Sequence, residues 1–301
     1  MKRVATAVVL IPLVLLAVFR APLWAFAIIV GLIALWTTRE YLNLLPNYGV
    51  QPFRWLTQLL LATWFLVPLA LEGGAGHSDW FVAPAAAALV AMCGAPFFFL
   101  IAGFRRENLA DSLPAAALSL FALPYIALPL LSLVLIRLLP AGAFLLSLLL
   151  ILVWVGDIAA YYVGRNVGRH LMAARISPKK TWEGAAASMA ASVVLAAVFA
   201  QSAPRIGQWL SQSSLVQDFP SRGLQAPPTW VPLVLALAVN VAAQLGDLAE
   251  SALKRGAGIK DSGSSLPGHG GMLDRIDALL FAAPVGMVVF VFTYSYFIPP
   301  S

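Results

Sequence analysis

Polar residues suited to phosphate chemistry are concentrated between Ser251 and Asp277. This stretch, SALKRGAGIKDSGSSLPGHGGMLDRID, brings cations, carboxylates and glycines together in an otherwise apolar chain. Carboxylates can bind Mg²⁺ together with phosphate oxygens of a substrate, and Lys and Arg neutralise further phosphate charge. Glycines let backbone amides approach an anion closely. The segment therefore indicates metal-assisted phosphoryl-type transfer, although Gly/Ser composition alone would also fit a flexible linker.

The residues just before the glycines have helical spacing. Four polar residues occur at i, i+3, i+4 and i+7, which predicts one face of a helix: Asp247, Glu250, Ser251 and Lys254. An ordinary solvated helix end would have the same spacing. Asp274 and Asp277 stand three apart where the next apolar segment begins, and carboxylates there also suit a helix N-terminus.

A second polar group lies in residues 155–184, VGDIAAYYVGRNVGRHLMAARISPKKTWEG, a stretch that begins inside an apolar segment. Its candidate functional residues are Asp157, Lys179, Lys180 and Glu183. A positively charged cytoplasmic loop would explain many of the cations, but not an acid inside an apolar segment, where charge is costly. Three other small polar groups, TTRE, FRREN and EGGAGHSD, are interpreted as solvated loops.

The composition predicts a membrane protein. Of the 301 residues, 61% are hydrophobic and only 11% are charged, whereas a soluble domain has roughly a quarter of its residues charged. Nine apolar segments approach the roughly 20 residues that a spanning helix needs: 4–19, 22–37, 56–72, 80–101, 113–138, 142–163, 184–202, 230–250 and 276–298. Since they lack the two-residue alternation of barrel strands, we expect an all-α integral membrane protein with about nine transmembrane helices.

The basic residues predict the orientation. With the N-terminus in the cytoplasm, 15 of the 19 Lys and Arg residues fall on the inside, as the positive-inside rule requires. An odd number of spans then places the C-terminus and the loop 203–229 outside. The net charge of +6 fits this arrangement and anionic lipid, so no nucleic-acid partner is expected.

The residue types also exclude several kinds of site. A single cysteine excludes an intrachain disulfide, and without a Cys/His cluster zinc and iron are not expected. The chain contains neither a Walker A motif nor a dinucleotide fingerprint. We divide it into N-terminal transmembrane helices, 1–140, and a catalytic membrane region, 141–301, with cytoplasmic loops 164–183 and 251–275.

The stretch from Ser251 to Asp277 resembles the signature of the CDP-diacylglycerol synthases, or phosphatidate cytidylyltransferases. That signature contains Ser, Lys-Arg, Lys-Asp, Pro or Gly, His-Gly-Gly and Asp-Arg-x-Asp at fixed spacings. The matching residues here are Ser251, Lys254-Arg255, Lys260-Asp261, Pro267, His269-Gly270-Gly271, Asp274-Arg275 and Asp277. GDIAAYYVGRNVG and SPKKTWEG are similar to a cytoplasmic loop of the same family, so the resemblance covers about residues 150–280.

The resemblance implies that CTP and phosphatidate form CDP-diacylglycerol and pyrophosphate in phospholipid biosynthesis. The lipid phosphate would attack the CTP α-phosphorus directly, assisted by Mg²⁺ and by a second metal ion of unspecified identity. It also implies a homodimer in the inner (plasma) membrane, with the active site on the cytoplasmic side.

The same resemblance implies that Asp247 and Asp261 are the metal ligands. Three cations are expected to act catalytically on phosphates: Lys254, Arg255 and Lys260. The expected substrate-binding residues are Asp157, Lys179, Lys180, Glu183, Ser251, His269, Asp274 and Arg275.

Two alternative functions fit parts of the sequence. One is a related membrane enzyme, a CTP-dependent polyprenol kinase, which would transfer the γ-phosphate to a different acceptor. The other is an anion transporter, in which the acids and cations would line a translocation path. The transporter is disfavoured because the charges lie at one membrane face and the chain has no evident inverted repeat.

Overall fold

The computed structural model of the chain is predominantly helical and describes residues 2–72, 82–213, 223–263 and 270–298. Its α-helices are α1 (Lys2–Arg20), α2 (Leu23–Leu44), α3 (Arg54–Glu72), α4 (Val82–Gly103), α5 (Ser112–Ala122), α6 (Leu128–Leu138), α7 (Gly142–Val167), α8 (Trp182–Gln212), α9 (Trp230–Gly256) and α10 (Leu273–Thr293). A π-helical turn, Leu123–Ala127, joins α5 to α6. Strands β1 (Leu171–Ala173) and β2 (Ser177–Thr181) form an antiparallel hairpin between α7 and α8.

The predicted apolar segments coincide with these helices, the fifth segment corresponding to α5, the π-turn and α6 together. Among the described residues, six stretches are long and apolar enough to cross a membrane: Leu23–Tyr48, Leu109–Leu138, Gly142–Val167, Trp182–Gln212, Trp230–Gly256 and Leu273–Tyr296. The chain thus has the character of an all-α membrane protein with several spans. The count of nine spans and their orientation stay predictions.

The loop between the eighth and ninth helices was predicted too long. It was expected to begin at residue 203, but α8 continues through Pro204 to Gln212. Ala203, Gly207 and Leu210 are buried at i, i+4 and i+7, so this end of α8 has a packed face. A Cβ added at Gly207 would lie 2.8 Å from the Leu224 backbone nitrogen. The segment after the described gap therefore packs directly on α8.

The predicted cytoplasmic loops also contain regular structure. α7 continues to Val167 and the hairpin occupies much of 164–183, although its short strands lack the alternation that would have predicted them. Similarly, α9 extends to Gly256. Ser251 and Lys254 therefore lie on a helix, as the spacing that begins at Asp247 predicted, and Arg255 follows on the same helix.

The chain folds into two compact units, each built from separate segments. The first unit comprises Met1–Ala21, Leu135–Ala252 and Ile276–Ser301, and the second comprises Pro22–Val134 and Leu253–Arg275. In the first unit, α7 packs along α8, and in the second, α2 packs on α3 and α4 on α5. Each unit contains part of the predicted site.

A buried polar network joins α7, α8 and α9 in the first unit. Asn240 on α9 donates from its side-chain amide to the hydroxyls of Ser188 and Ser192, both at 2.8 Å. Gln244 donates to the Asn240 carbonyl oxygen at 2.6 Å and to the Ala185 carbonyl. A Cβ at Gly156 would lie 2.9 Å from Asn240 Nδ2, so α7 approaches closely there. These bonds fix the position of α9 just before it reaches Asp247.

Candidate active site

An ion pair between the hairpin and α9 lies at the centre of the first unit's polar cluster. Lys180 Nζ on β2 is 2.6 Å from Asp247 Oδ2, and both side chains are partly exposed. Ser251, one turn after Asp247 on α9, directs its hydroxyl to Asp247 Oδ1 at 3.5 Å. Three of the residues that the sequence singled out are therefore brought together, although Lys180 and Asp247 are far apart in the chain.

Asp157 adds a second carboxylate to this cluster. It lies on α7, close enough to interact electrostatically with both Asp247 and Lys180. Like charges so placed repel each other, and a single lysine neutralises only one of them. A divalent cation bound beside the two carboxylates would reduce this repulsion.

Close packing at the base of the hairpin positions Lys180. The neighbouring Thr181 caps α8, accepting a hydrogen bond at 3.2 Å from the Gly184 amide to its hydroxyl oxygen. A Cβ at Gly184 would lie 2.8 Å from the Ala160 carbonyl oxygen and 3.2 Å from the Gly164 Cα. These glycines allow the end of α7 and the start of α8 to touch. The motifs around them thus have a packing role in addition to any substrate contact.

Glu183 forms contacts with His170 at the start of the hairpin. One of its carboxylate oxygens lies 2.6 Å from His170 Nδ1, and the His170 backbone amide is 3.3 Å from both oxygens. Glu183 therefore ties the start of α8 to the residue that precedes β1. Its substrate-binding role stays a prediction, as does that of the exposed Lys179.

In the second unit, Asp274 organises the signature loop. Lys254 Nζ is 2.5 Å from Asp274 Oδ1, and the two side chains are only 12% and 10% exposed. Asp274 Oδ2 accepts from the Gly271 amide at 2.6 Å and from the Ser262 amide and hydroxyl at 3.0 Å. Lys254 and Asp274 thus connect the end of α9, the following turn and the start of α10.

Glu40 on α2 belongs to the same arrangement, although the sequence did not predict a role for it. Glu40 lies within TTRE, which was interpreted as a solvated loop, but it is only 4% exposed. Glu40 Oε2 accepts from the Leu273 amide at 2.9 Å and, at 3.3 Å, shares the Ser262 hydroxyl proton with Asp274 Oδ2. The available signal was helical spacing, because Thr37, Tyr41 and Leu44 are buried on the same helix.

The other predicted residues are distributed as follows. Arg255, Lys260, Asp261 and Arg275 are exposed. The side chains of Lys260 and Asp261 make no hydrogen bond or ion pair with another described residue. His269 and Pro267 lie outside the described residues. Glu250 is completely buried, unlike its neighbours Asp247 and Ser251 on α9.

The described residues contain no group of three or more His, Cys, Asp or Glu side chains arranged to bind a metal ion. The two predicted ligands lie in different units, Asp247 in the first and Asp261 in the second. A Mg²⁺ ion that binds substrate phosphates needs only one or two protein carboxylates. Asp247 and Asp261 each offer carboxylate oxygens of the kind that Mg²⁺ prefers, and their role as metal ligands stays a prediction.

Residues 1–293 match the family model described as "Cytidylyltransferase family". The chain belongs to the cytidylyltransferase family. The match includes both polar clusters and therefore all of the predicted site residues.

Curated relatives of this cytidylyltransferase-family chain are named phosphatidate cytidylyltransferase. The Haemophilus influenzae protein is 39% identical over 156 residues, which cover 52% of this chain and 46% of the relative. The Bacillus subtilis protein is 40% identical over 134 residues, or 44% and 42% of the two chains. The Thermotoga maritima protein is 40% identical over 149 residues, half of each chain. The chain thus matches about half the length of these relatives.

Proposed function

We propose that this protein is a CTP:phosphatidate cytidylyltransferase that forms CDP-diacylglycerol and pyrophosphate in phospholipid biosynthesis. The observation that carries this proposal is the family match over residues 1–293, which spans both the Lys180–Asp247 cluster and the signature loop. The relatives' printed names supply the substrate. A membrane-embedded chain with cations and carboxylates at the helix ends suits a lipid substrate that carries a phosphate.

In the proposed reaction, an oxygen of the phosphatidate phosphate forms a bond to the α-phosphorus of CTP. The bond from that phosphorus to the oxygen bridging the β-phosphate breaks, and pyrophosphate leaves with the electron pair. A phosphate monoester is already a nucleophile, so the reaction requires no covalent intermediate on the protein. The protein's contribution is to position the two anions and neutralise their charge.

The cations divide by their contacts into two proposed roles. Lys179, Lys260 and Arg255 are exposed and are assigned to substrate phosphates, whose repulsion they reduce. Lys254 is engaged with Asp274, so we assign it to positioning the signature loop. Lys180 keeps Asp247 in place through their ion pair and can also turn towards a nucleotide phosphate.

Asp247 and Asp261 would bind Mg²⁺, with Asp157 available for a second ion. The metal would neutralise phosphate oxygens and polarise the α-phosphorus. Asp261 has an exposed carboxylate, while Asp247 has the like-charged Asp157 close by. Both environments favour a carboxylate–cation contact.

We further propose nine membrane spans in the bacterial inner membrane, with the N-terminus and active site cytoplasmic and the C-terminus outside. Support comes from the distribution of Lys and Arg, 15 of 19 of which fall on the inner side in this arrangement. A homodimer is the proposed assembly, and the mass of the protein–detergent complex by light scattering would test it.

The experiment that tests the activity uses detergent-purified protein with CTP, dioleoyl phosphatidate and Mg²⁺. CDP-diacylglycerol and pyrophosphate should form in equal amounts, and EDTA should stop both. A parallel reaction replaces phosphatidate with a polyprenol. Phosphorylation of the polyprenol, or a folded protein inactive with phosphatidate, would contradict the proposal.

A further inference from the structure

The second unit contains a pocket at the C-terminal end of α2. Its volume is about 690 Å³, and its described lining combines polar and apolar residues, among them Trp36, Arg39, Glu40, Asn43, Ser262 and Gly263. Ser262 and Gly263 directly follow Asp261, the proposed metal ligand. The pocket is therefore lined partly by the signature loop and partly by residues from the N-terminal half of the chain.

Arg39 gives the pocket an available cation. Its side chain is exposed, and it makes no hydrogen bond or ion pair with any other residue in the described ranges. A second guanidinium stands nearby, since Arg54 Nη1 donates to the Asn43 side-chain oxygen at 2.6 Å. Arginine presents a planar set of donors that matches the geometry of a phosphate.

Glu40, the carboxylate in the pocket lining, does not neutralise the charge of Arg39. Glu40 is buried, and its Oε2 accepts from the Leu273 amide and the Ser262 hydroxyl. Leu273 is the first residue of α10, where the helix N-terminus offsets a negative charge. The Glu40 charge is thus compensated by the signature loop and α10, whereas that of Arg39 is not compensated by any described residue.

An exposed apolar stripe leads along α2 to the pocket. Ile28, Leu32 and Trp36 are 44%, 60% and 45% exposed, and spacings of four, four and three residues place them on one helical face with Arg39. At 1.5 Å per residue, Ile28 and Arg39 are separated by about 16 Å along the axis. This is about half of a roughly 30 Å hydrocarbon core. The face is therefore apolar over the depth of one leaflet and cationic at its end.

We propose that this pocket binds the phosphate of phosphatidate, with Arg39 as its principal ligand and an acyl chain along Ile28, Leu32 and Trp36. The proposal rests on the proposed function for the identity of the lipid. It assigns lipid recognition to the N-terminal half of the chain, and it places the phosphate against the loop segment that follows Asp261. Because the headgroup is a monoester, it can carry more negative charge than a phosphodiester lipid, so the pocket should prefer it.

The test measures lipid binding without turnover. Detergent-purified protein is equilibrated with radiolabelled dioleoyl phosphatidate in EDTA and without CTP, and bound lipid is counted. Arg39→Gln should bind about tenfold more weakly or worse, because a charge-assisted hydrogen bond is lost. Arg39→Lys should recover only part of the binding. Arg105→Gln is the matched control, since Arg105 is an exposed arginine outside the pocket and should bind like the unaltered protein.

Competition identifies the ligand that the pocket selects. Unlabelled phosphatidate should displace the label, while dioleoyl phosphatidylglycerol should compete at least severalfold less well and glycerol 3-phosphate hardly at all. Equal competition by phosphatidylglycerol would overturn the monoester preference. Equal competition by glycerol 3-phosphate would show a site for soluble phosphates, and equal binding by Arg39→Gln and Arg105→Gln would overturn the pocket itself.

Kinetics separate this inference from the proposed function. In the active enzyme, Arg39→Gln should raise KM for phosphatidate about tenfold or more and leave KM for CTP unchanged. If the unaltered protein binds phosphatidate through Arg39 but forms no CDP-diacylglycerol, the proposed function fails and the pocket stands. If the enzyme is active and Arg39→Gln changes neither binding nor KM for phosphatidate, only the pocket fails.

Discussion

Glu40 allows the connection between α2 and the signature loop to be tested by stability. Replacing it with alanine removes the acceptor for the Leu273 amide and the Ser262 hydroxyl. A hydrogen bond to a charged group contributes about 1.5–3 kcal/mol, and the Ser262 hydroxyl proton is shared with Asp274, so Glu40→Ala should lower the free energy of unfolding by about 2–4 kcal/mol. Glu40→Gln retains an acceptor oxygen but loses the charge at the N-terminus of α10, and should cost about 1–2 kcal/mol.

The assay is reversible unfolding in mixed detergent–SDS micelles, followed by circular dichroism. Glu107→Ala is the matched control, since Glu107 is an exposed glutamate and its removal should change stability by less than about 0.5 kcal/mol. The order of stability should be control, then Glu40→Gln, then Glu40→Ala.

Two results would refute this reasoning. If Glu40→Ala were as stable as the Glu107→Ala control, the hydrogen bonds to Leu273 and Ser262 would contribute nothing. If Glu40→Gln lowered the free energy of unfolding as much as Glu40→Ala, the retained acceptor oxygen would contribute no stability. The assignment of the two hydrogen bonds would then be wrong.

Three further predictions concern the site and the topology. Lys180→Gln should shift the Mg²⁺ dependence of the rate, because Asp247 loses its ion pair, whereas Lys179→Gln should change KM for a phosphate-bearing substrate without that shift; identical Mg²⁺ titrations would count against the distinction. A folded Asp261→Asn enzyme should lose activity by orders of magnitude, and near-normal turnover with an unshifted Mg²⁺ dependence would remove Asp261 from the metal site. In a cysteine-free background, Ala174→Cys and Ser213→Cys should react with an impermeant thiol reagent from opposite sides of intact vesicles, and labelling of both from one side would reject the proposed orientation.

Local patterns predicted the helices and part of the site. Apolar runs long enough for a bilayer correspond to helices because hydrogen bonds within one segment satisfy its backbone. The spacing from Asp247 to Lys254 is realised on α9. Helical periodicity is a short-range signal, so it located these residues without knowledge of their partners.

Those local patterns could not predict contacts between segments that are distant in the chain. Glu40 and Leu273 are 233 residues apart, and TTRE by itself has the composition of a solvated group. The Lys180–Asp247 pair depends on a hairpin whose strands, Leu171–Ala173 and Ser177–Thr181, are too short for a periodic signal. The packing roles of Gly164 and Gly184 likewise depend on the close approach of α7 and α8, which neither segment predicts on its own.

The fate of the CTP phosphates distinguishes cytidylyl transfer to phosphatidate from every kinase reaction. Purified protein is given phosphatidate and Mg²⁺ with CTP labelled either at the α-phosphate or at the γ-phosphate, and the lipid extract is counted. We expect α-label to enter the lipid as CDP-diacylglycerol, in equal amount to the pyrophosphate released, while the only product that carries γ-label is pyrophosphate. Entry of γ-label into lipid would show a kinase, and the absence of α-label from lipid with an active protein would contradict cytidylyl transfer.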